Sequence, residues 1–295
     1  SATCSSEAGR ASPPDLRRGS SEPMNMDMRA SSTAELRTAA QVLSSGLLRA
    51  HYQPIVDLRT GSVVAHESLI RLPAHAALRT PDDLFRAARA EALTVRAEQA
   101  CLDEGIRSWV KHAHDKRLFM NLSAFAILEM VDRLSIAGVM RALSAASMAP
   151  SALVIEITEH EQVADLPRLV EAATGLRAQG LRFALDDFGD GRSSLRLWAE
   201  LRPEIVKIDK YFVHDLPNQA IKVQTLKGLA RFAETFGTTL VAEGIETQEE
   251  LRIVRDLGIE LGQGYFLGRP QALLASASPP AAAATIDSSE IAVLP

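Results

Sequence analysis

Residues 51–71 read HYQPIVDLRTGSVVAHESLIR, and the fold turns on how this stretch is divided. Two apolar, β-rich runs, His51–Asp57 and Val63–Arg71, flank Arg59-Thr60-Gly61-Ser62, which reads as a tight turn. A connection that short joins only an antiparallel pair, because a parallel pair needs a crossover of a dozen residues or more. Further along the chain the same kind of run recurs at Arg117–Ser123, Ala152–Thr158, Leu181–Phe188, Glu204–Asp209, Thr238–Ile245 and Leu261–Leu267, eight runs in all. The stretches between these later runs carry apolar residues at three-to-four spacing, as amphipathic helices do. Thr80-Pro81-Asp82-Asp83 reads as a helix start, with a capping hydroxyl, a first-turn proline and early acids. Gly180 and Gly237 stand where helices end and strands begin. Strands separated by helices pair in parallel. The expected fold is therefore an α/β, modified (β/α)8 TIM-type barrel with an antiparallel first strand; a doubly wound open sheet is the alternative.

Composition bounds the rest. The chain has 295 residues, 46% hydrophobic and 23% charged, with 32 Lys+Arg against 37 Asp+Glu and a net charge of −5. That balance argues against binding a nucleic-acid polymer through overall basicity. Two cysteines, Cys4 and Cys101, exclude a disulfide framework and a cysteine-rich zinc site, and point to a reducing, cytoplasmic setting. No run approaches 18 uncharged apolar residues, so no membrane association is expected, and the first residues lack the order of a secretory signal. Residues 1–33 are rich in Ser, Ala, Pro and Arg without aromatic, Ile or Val, and residues 271–295, rich in Ala, Ser and Pro, read as a second loose tail. Both are expected to be flexible tails, since they offer too little apolar surface to offset ordering entropy. The block 34–270 between them suits one barrel domain.

A buried parallel strand should be nearly all apolar, yet most of these strands carry polar residues toward their C-terminal ends. Glu67, Asn121, Glu156, Asp186, Asp187, Lys207, Glu243 and Gln263 all lie there. A barrel gathers such strand ends at one mouth. Five carboxylates, two amides and a lysine would then converge, and that many unpaired acids would cost several kcal/mol each to desolvate together. Divalent cations resolve the conflict. Oxygen donors without His or Cys favour Mg²⁺ or Mn²⁺, and more than four acidic donors suggest two ions, the arrangement used for in-line phosphoryl displacement.

These residues fall in motifs that resemble the EAL-domain family, bacterial phosphodiesterases acting on cyclic di-GMP. The resemblance runs from about Leu47 to Pro270. It rests on Tyr52-Gln53-Pro54-Ile55-Val56, Glu67-Ser68-Leu69-Ile70-Arg71, Asn121-Leu122-Ser123 and Glu156-Ile157-Thr158-Glu159. Asp186-Asp187-Phe188-Gly189, Lys207-Ile208-Asp209, Ala242-Glu243-Gly244-Ile245-Glu246 and Gln263-Gly264-Tyr265 complete it. The resemblance implies that Glu67, Asn121, Glu156 and Asp186 hold one cation. Asp186, Asp187 and Glu243 would serve a second, and Lys207 would hold and polarise the attacking water. It further implies that Gln263 orients water or a ligand, that Arg71 meets a substrate phosphate, and that Gln53, Leu69, Glu246 and Tyr265 line the nucleotide pocket. Glu159 would brace the loop after Asp187. The implied activity is hydrolysis of cyclic di-GMP to linear 5′-pGpG, with a homodimer as the expected assembly.

Two positions depart from the family pattern. Ser68 stands where the family has Ala, and its side chain should point away from that of Glu67 on an alternating strand. Arg192 stands where an aromatic is common, which bears on dimer-linked control. Asp187-Phe188-Gly189 also spells a kinase metal motif, but no kinase glycine-rich or catalytic loop accompanies it. Leu226, Leu229, Ala230, Ala233 and Phe236 read as a core-facing helical stripe, Cys101 as a packed thiol, and His112 and His114 as surface residues. A catalytically silent receptor for cyclic di-GMP, and a barrel enzyme using Lys207 as a base beside Mg²⁺, are the competing functions. Nothing lost from the matched metal positions favours the receptor.

Overall fold

The computed structural model of the chain describes residues 35–112, 115–157, 163–189 and 195–272. The expected N-terminal tail, Glu159, His114 and Arg192 lie outside the described residues. Of the expected C-terminal tail only residues 271 and 272 are described, and Gln271 pairs with Tyr52 in an antiparallel bridge.

Eight strands close into a barrel in sequence order: β1 (Arg49–Asp57), β2 (Val63–Arg71), β3 (Arg117–Leu122), β4 (Leu153–Ile157), β5 (Arg182–Phe188), β6 (Ile205–Ile208), β7 (Thr239–Ala242) and β8 (Leu261–Gly262). Strand β1 is antiparallel to both its neighbours, β2 and β8, and every other pairing is parallel. The closed order excludes the open-sheet alternative. The turn that reverses the chain is built by Asp57, whose Oδ1 accepts from the amides of Arg59 and Thr60 at 2.9 and 2.8 Å. Gly61 at φ 72° supplies the left-handed residue the turn needs.

The outer helices are α1 (Ala39–Ser45), α2 (Pro81–Ala90), α3 (Thr94–Val110), α4 (Ala124–Ala145), α5 (Leu166–Arg177), α6 (Leu195–Leu201), α7 (Lys210–Val213), α8 (Ala220–Phe236) and α9 (Gln248–Asp256). None of the described helices is long and apolar enough to cross a membrane. Thr80 caps α2 in a reciprocal box with Asp83, and Gly237 ends α8 in the left-handed region, as their sequence contexts predict. Helix α4 carries a break that no proline or glycine announces, at Ser135 with φ 59°. In α8, Leu226 and Ala233 are buried and Leu229 and Ala230 half-buried against the core, whereas Phe236 is exposed. Cys101 is a buried free thiol.

Two strands are shorter than their apolar runs suggest. Strand β7 stops at Ala242 and β8 at Gly262. Gly244 turns the chain with φ 71° just past β7, and a Cβ there would strike the Lys210 side chain. A Cβ on Gly264 would collide with the backbone of Ile245. The two glycines let the segments after β7 and β8 cross at the mouth instead of extending as strands.

The barrel interior is itself a packed core. Ile55, Ala65, Phe119, Val154, Ala184, Ile205 and Val241 form one buried cluster, joined by half-buried Leu261. Each of the eight strands contributes one residue. This plug closes the lumen below the mouth, as in other barrels of the class.

Candidate active site

Two residues beyond each plug residue, toward the mouth, the character changes completely. Ala65 is followed by Glu67, Phe119 by Asn121, Val154 by Glu156, Ala184 by Asp186, Ile205 by Lys207, Val241 by Glu243 and Leu261 by Gln263. On the reversed β1, Gln53 lies two residues before Ile55 and faces Glu67 in the strand register. Because side chains repeat every second residue along a strand, an apolar ring with a polar ring one pleat above it follows directly. The expected convergence of strand-end acids is therefore the second layer of the barrel.

Lys207 is the hub of that layer. Its Nζ lies 3.1 Å from Glu67 Oε2, 2.9 Å from Glu156 Oε1, 2.9 Å from Asp186 Oδ1 and 2.7 Å from Glu243 Oε1. An ammonium has three protons, so it cannot donate to all four at once. Lys207 is 1% exposed and Glu156 0%. Burial acts to lower the Lys207 ammonium, but the charges of Asp186, Glu156, Glu243 and Glu67 outweigh it and hold it well above its ordinary value. Burial, reinforced by Glu67 and Asp186, pushes the Glu156 carboxyl up against the pull of Lys207. Burial likewise pushes Glu243 up to about 8. The cup thus concentrates more negative charge than its one lysine offsets.

Amides complete the ring. Gln263 Nε2 donates to Glu67 Oε2 at 2.7 Å and to Gln53 Oε1 at 3.1 Å, and Gln53 Nε2 donates to the Gly268 carbonyl at 3.1 Å. Asn121 Nδ2 donates to Glu67 Oε1 at 3.1 Å. The relay through Gln53 and Gln263 fixes the Glu67 carboxylate, a role beyond those anticipated for the two glutamines.

Asp186 and Asp187 are adjacent on β5, and plain alternation would aim them at opposite faces. The pairing with β6 slips between Leu185 and Phe188, and Asp187 has φ 50°. Aspartate tolerates this left-handed geometry better than most residues, and such irregularities re-aim side chains. As a result one carboxylate oxygen each from Asp186, Asp187 and Glu243 all lie within 4.8 Å of one another.

The donors suit a divalent cation. Oxygens of Asp186, Asp187 and Glu243 converge, and Asn121 Oδ1 and Glu156 Oε2 are buried with no hydrogen-bond partner among the described residues. Buried, acceptor-only oxygens without donors are what a hard cation satisfies.

The other anticipated residues lie around the rim. Leu69 and Arg71 are half-buried at the end of β2, and Arg71 Nη1 donates to the Ile70 carbonyl at 3.1 Å. Glu246 is exposed just past Glu243. Tyr265 is 51% exposed, with the Arg269 guanidinium 4.2 Å from its ring centroid. Ser68 faces away from the cup and is buried beside α3, its Oγ without a hydrogen-bond partner among the described residues. Among the described residues, three buried acids outside the ring escaped the sequence reading: Glu98, Glu104 and Glu250. Glu98 accepts from the Ser123 amide at 2.8 Å and hydroxyl at 3.0 Å, tying down the segment just after Asn121.

Comparison with known proteins places this geometry. The family model described as the EAL domain matches residues 33–270. The chain is 33% identical over 252 residues to the bifunctional diguanylate cyclase/cyclic di-GMP phosphodiesterase MucR of Pseudomonas aeruginosa, covering 82% of this chain and 36% of that one. It is 28% identical to the probable cyclic di-GMP phosphodiesterase PdeA of Escherichia coli, covering 81% of this chain and 32% of that one. The chain thus spans about a third of the length of the curated relatives it matches. Among solved structures, the phosphodiesterase PaMucR in complex with c-di-GMP has a TM-score of 0.68 at 32% identity, covering 79% of this chain and 95% of that one. BlrP1 of Klebsiella pneumoniae, in a calcium/cyclic di-GMP complex, has a TM-score of 0.68 at 29% identity, covering 76% and 56% respectively.

Proposed function

Since the chain belongs to the EAL domain family, we propose that it is a metal-dependent phosphodiesterase that opens one 3′–5′ bond of cyclic di-GMP to give linear 5′-pGpG. The observation that carries this reading is the polar ring itself: every strand but β1 and β8 brings an acid, an amide ligand or Lys207 to one cup, and those two bring the glutamines that orient Glu67. Relatives named as cyclic di-GMP phosphodiesterases, and structures of relatives with that nucleotide, support it.

In this proposal Glu67, Asn121, Glu156 and Asp186 hold one Mg²⁺ or Mn²⁺, and Asp186, Asp187 and Glu243 hold a second. Bound there, the cations supply an acidified water near neutral pH and positive charge against the phosphoryl oxygens. Lys207, at the centre of the carboxylates, acts as a donor that holds and polarises the attacking water. The water oxygen bonds to phosphorus, the P–O3′ bond breaks, and the released 3′ oxygen gains a proton, so one water is consumed per ring opened. Arg71 meets a phosphate oxygen once its guanidinium swings off the Ile70 carbonyl. Gln53, Leu69, Glu246 and Tyr265 line the nucleotide, and Gln263 orients ligand or water while locking Glu67. Glu159 braces the loop after Asp187. A domain spanning 34–270, a homodimeric assembly and a cytoplasmic setting belong to the same proposal.

The test is chromatography of cyclic di-GMP incubated with the protein. Linear 5′-pGpG should accumulate with Mg²⁺ and disappear with Glu67→Ala. Tight binding without product would favour the receptor reading instead, and turnover undiminished in excess EDTA would refute the metal.

A further inference from the structure

Among the described residues, three helix starts have a box in which a threonine hydroxyl and a later side chain satisfy each other's backbone amides: Thr38 with Gln41, Thr80 with Asp83, and Thr247 with Glu250. Gln41 is exposed and Asp83 half-exposed, as such residues commonly are. Glu250 is 3% exposed. Its carboxylate also reaches beyond its own helix. Oε2 accepts from the amides of Glu246 at 2.9 Å and Thr247 at 3.0 Å, and Oε1 accepts from the amide of Asp215 at 2.9 Å. The bond to the residue before the cap has counterparts in the other two boxes, from the amides of Arg37 and Arg79; what sets Glu250 apart is its burial and the bond from Asp215, which ties the segment after β7 to the corner before the 3-10 turn Leu216–Asn218.

That corner is stiff. Asp215 has φ 60°, and its side chain accepts from Asn218 Nδ2 at 2.7 Å and Gln219 Nε2 at 3.3 Å. The start of the segment after β7 is held by the barrel: the Glu243 amide donates to Ile208 O and the Ile245 amide to Gln263 O, both at 3.1 Å. Glu246 is the first residue beyond those ties, and its amide donates to Glu250 Oε2. Buried charge-assisted hydrogen bonds of this kind are stronger than neutral ones.

We infer that Glu250 is a positioning residue that sets the placement of Glu246 at the rim of the cup, and thereby substrate affinity. The inference rests on the proposed cyclic di-GMP hydrolysis, in which Glu246 lines the nucleotide. It separates two roles along one short segment: Glu243 serves the chemistry and is anchored by the barrel, whereas Glu246 serves recognition and is anchored by Glu250.

The experiment measures KM and kcat for cyclic di-GMP with Mg²⁺ for wild type, Glu246→Ala, Glu250→Ala, Glu250→Gln, the Glu246→Ala/Glu250→Ala double variant and Thr247→Ala. Glu250→Ala should raise KM about tenfold, the worth of one charge-assisted hydrogen bond, with kcat within about twofold. Glu246→Ala should do the same, and the double variant should add nothing, because residues acting through one contact are not additive. Glu250→Gln keeps one acceptor oxygen and should recover part of the loss. Thr247→Ala weakens the same helix start without touching the brace and should leave KM unchanged. An unchanged KM in Glu250→Ala overturns the inference, as does additivity in the double variant or an equal rise in Thr247→Ala. If Glu250→Ala does not fold, Glu250→Gln decides by the same criterion. Wild-type protein that neither binds nor hydrolyses cyclic di-GMP sinks the proposed function and this inference together; turnover with KM indifferent to Glu250 sinks this inference alone.

Discussion

Replacing Lys207 by methionine removes the one cation at the centre of the cup while nearly keeping its volume. Four carboxylate oxygens lie 2.7–3.1 Å from its Nζ. Each such pair is worth roughly 5 kcal/mol gross at an effective dielectric of about 20, against a desolvation cost of similar size. Breaking a buried cluster by removing one partner leaves uncompensated charge and typically costs about 3–5 kcal/mol. In EDTA at pH 8, Lys207→Met should therefore melt about 10 °C or more below wild type, since each kcal/mol moves a chain of this size by about 2–4 °C. The sign of the pH dependence follows from the acids. Glu156 and Glu243 are raised in the folded protein, Glu243 from 4.5 to about 8. A carboxyl raised by folding contributes stability that is full below its unfolded value and is lost as pH rises through its folded one. Metal-free wild type should thus lose stability between pH 5 and pH 8. The Lys207→Met deficit should shrink toward pH 5, where protonation neutralises the acids that the ammonium otherwise balances. Thermal melts followed by circular dichroism at the two pH values read both effects. A deficit of equal size at pH 5 and pH 8, or none at either, would refute the electrostatic account of the cup.

Three further outcomes follow from particular contacts. Ser68→Ala removes a buried hydroxyl that has no described partner, so the variant should be as stable as wild type or more stable by up to about 1 kcal/mol in denaturant titration; a clear loss would reveal a bond the geometry does not contain. Gly264→Ala forces a methyl into the Ile245 backbone and should destabilise by more than about 2 kcal/mol, while lowering activity through the neighbouring Gln263; wild-type stability would contradict the crossing of the two segments. Burial, with the charge of Glu98, pushes the Cys101 thiol up to about 12. In a Cys4→Ser background it should resist iodoacetamide at pH 8 until denaturant is added, and rapid native-state labelling seen by mass spectrometry would count against that burial.

Most of what positions the site was readable along the chain. The turn at Arg59–Ser62 sets the reversal of β1, and the acids that interrupt otherwise apolar strands mark the layer that becomes the cup. The finer pattern was also there, in pairs such as Val154 with Glu156 and Ile205 with Lys207, where an apolar plug residue precedes a polar one by two positions. What stayed hidden depends on contacts between distant segments. Gln53 and Gln263 meet only after the barrel closes, so nothing local announces their joint grip on Glu67. Glu250 sits in a run of acids that looks like an ordinary exposed first turn, and its burial and its bond from the Asp215 amide, 35 residues away, exist only in the folded chain. The convergence of Asp186 and Asp187 needs a left-handed backbone that an Asp-Asp pair permits but does not demand. The early ends of β7 and β8 arise because Gly244 and Gly264 allow close crossings that composition alone does not reveal.

The central claim is that carboxylates and amides from widely separated strands form one cup that takes up divalent cations. Anomalous diffraction from crystals of the protein soaked in Mn²⁺ tests it most directly. The account predicts strong peaks among Glu67, Asn121, Glu156 and Asp186 and among Asp186, Asp187 and Glu243; crystals that bind Mn²⁺ only elsewhere, with none in the cup, would contradict it.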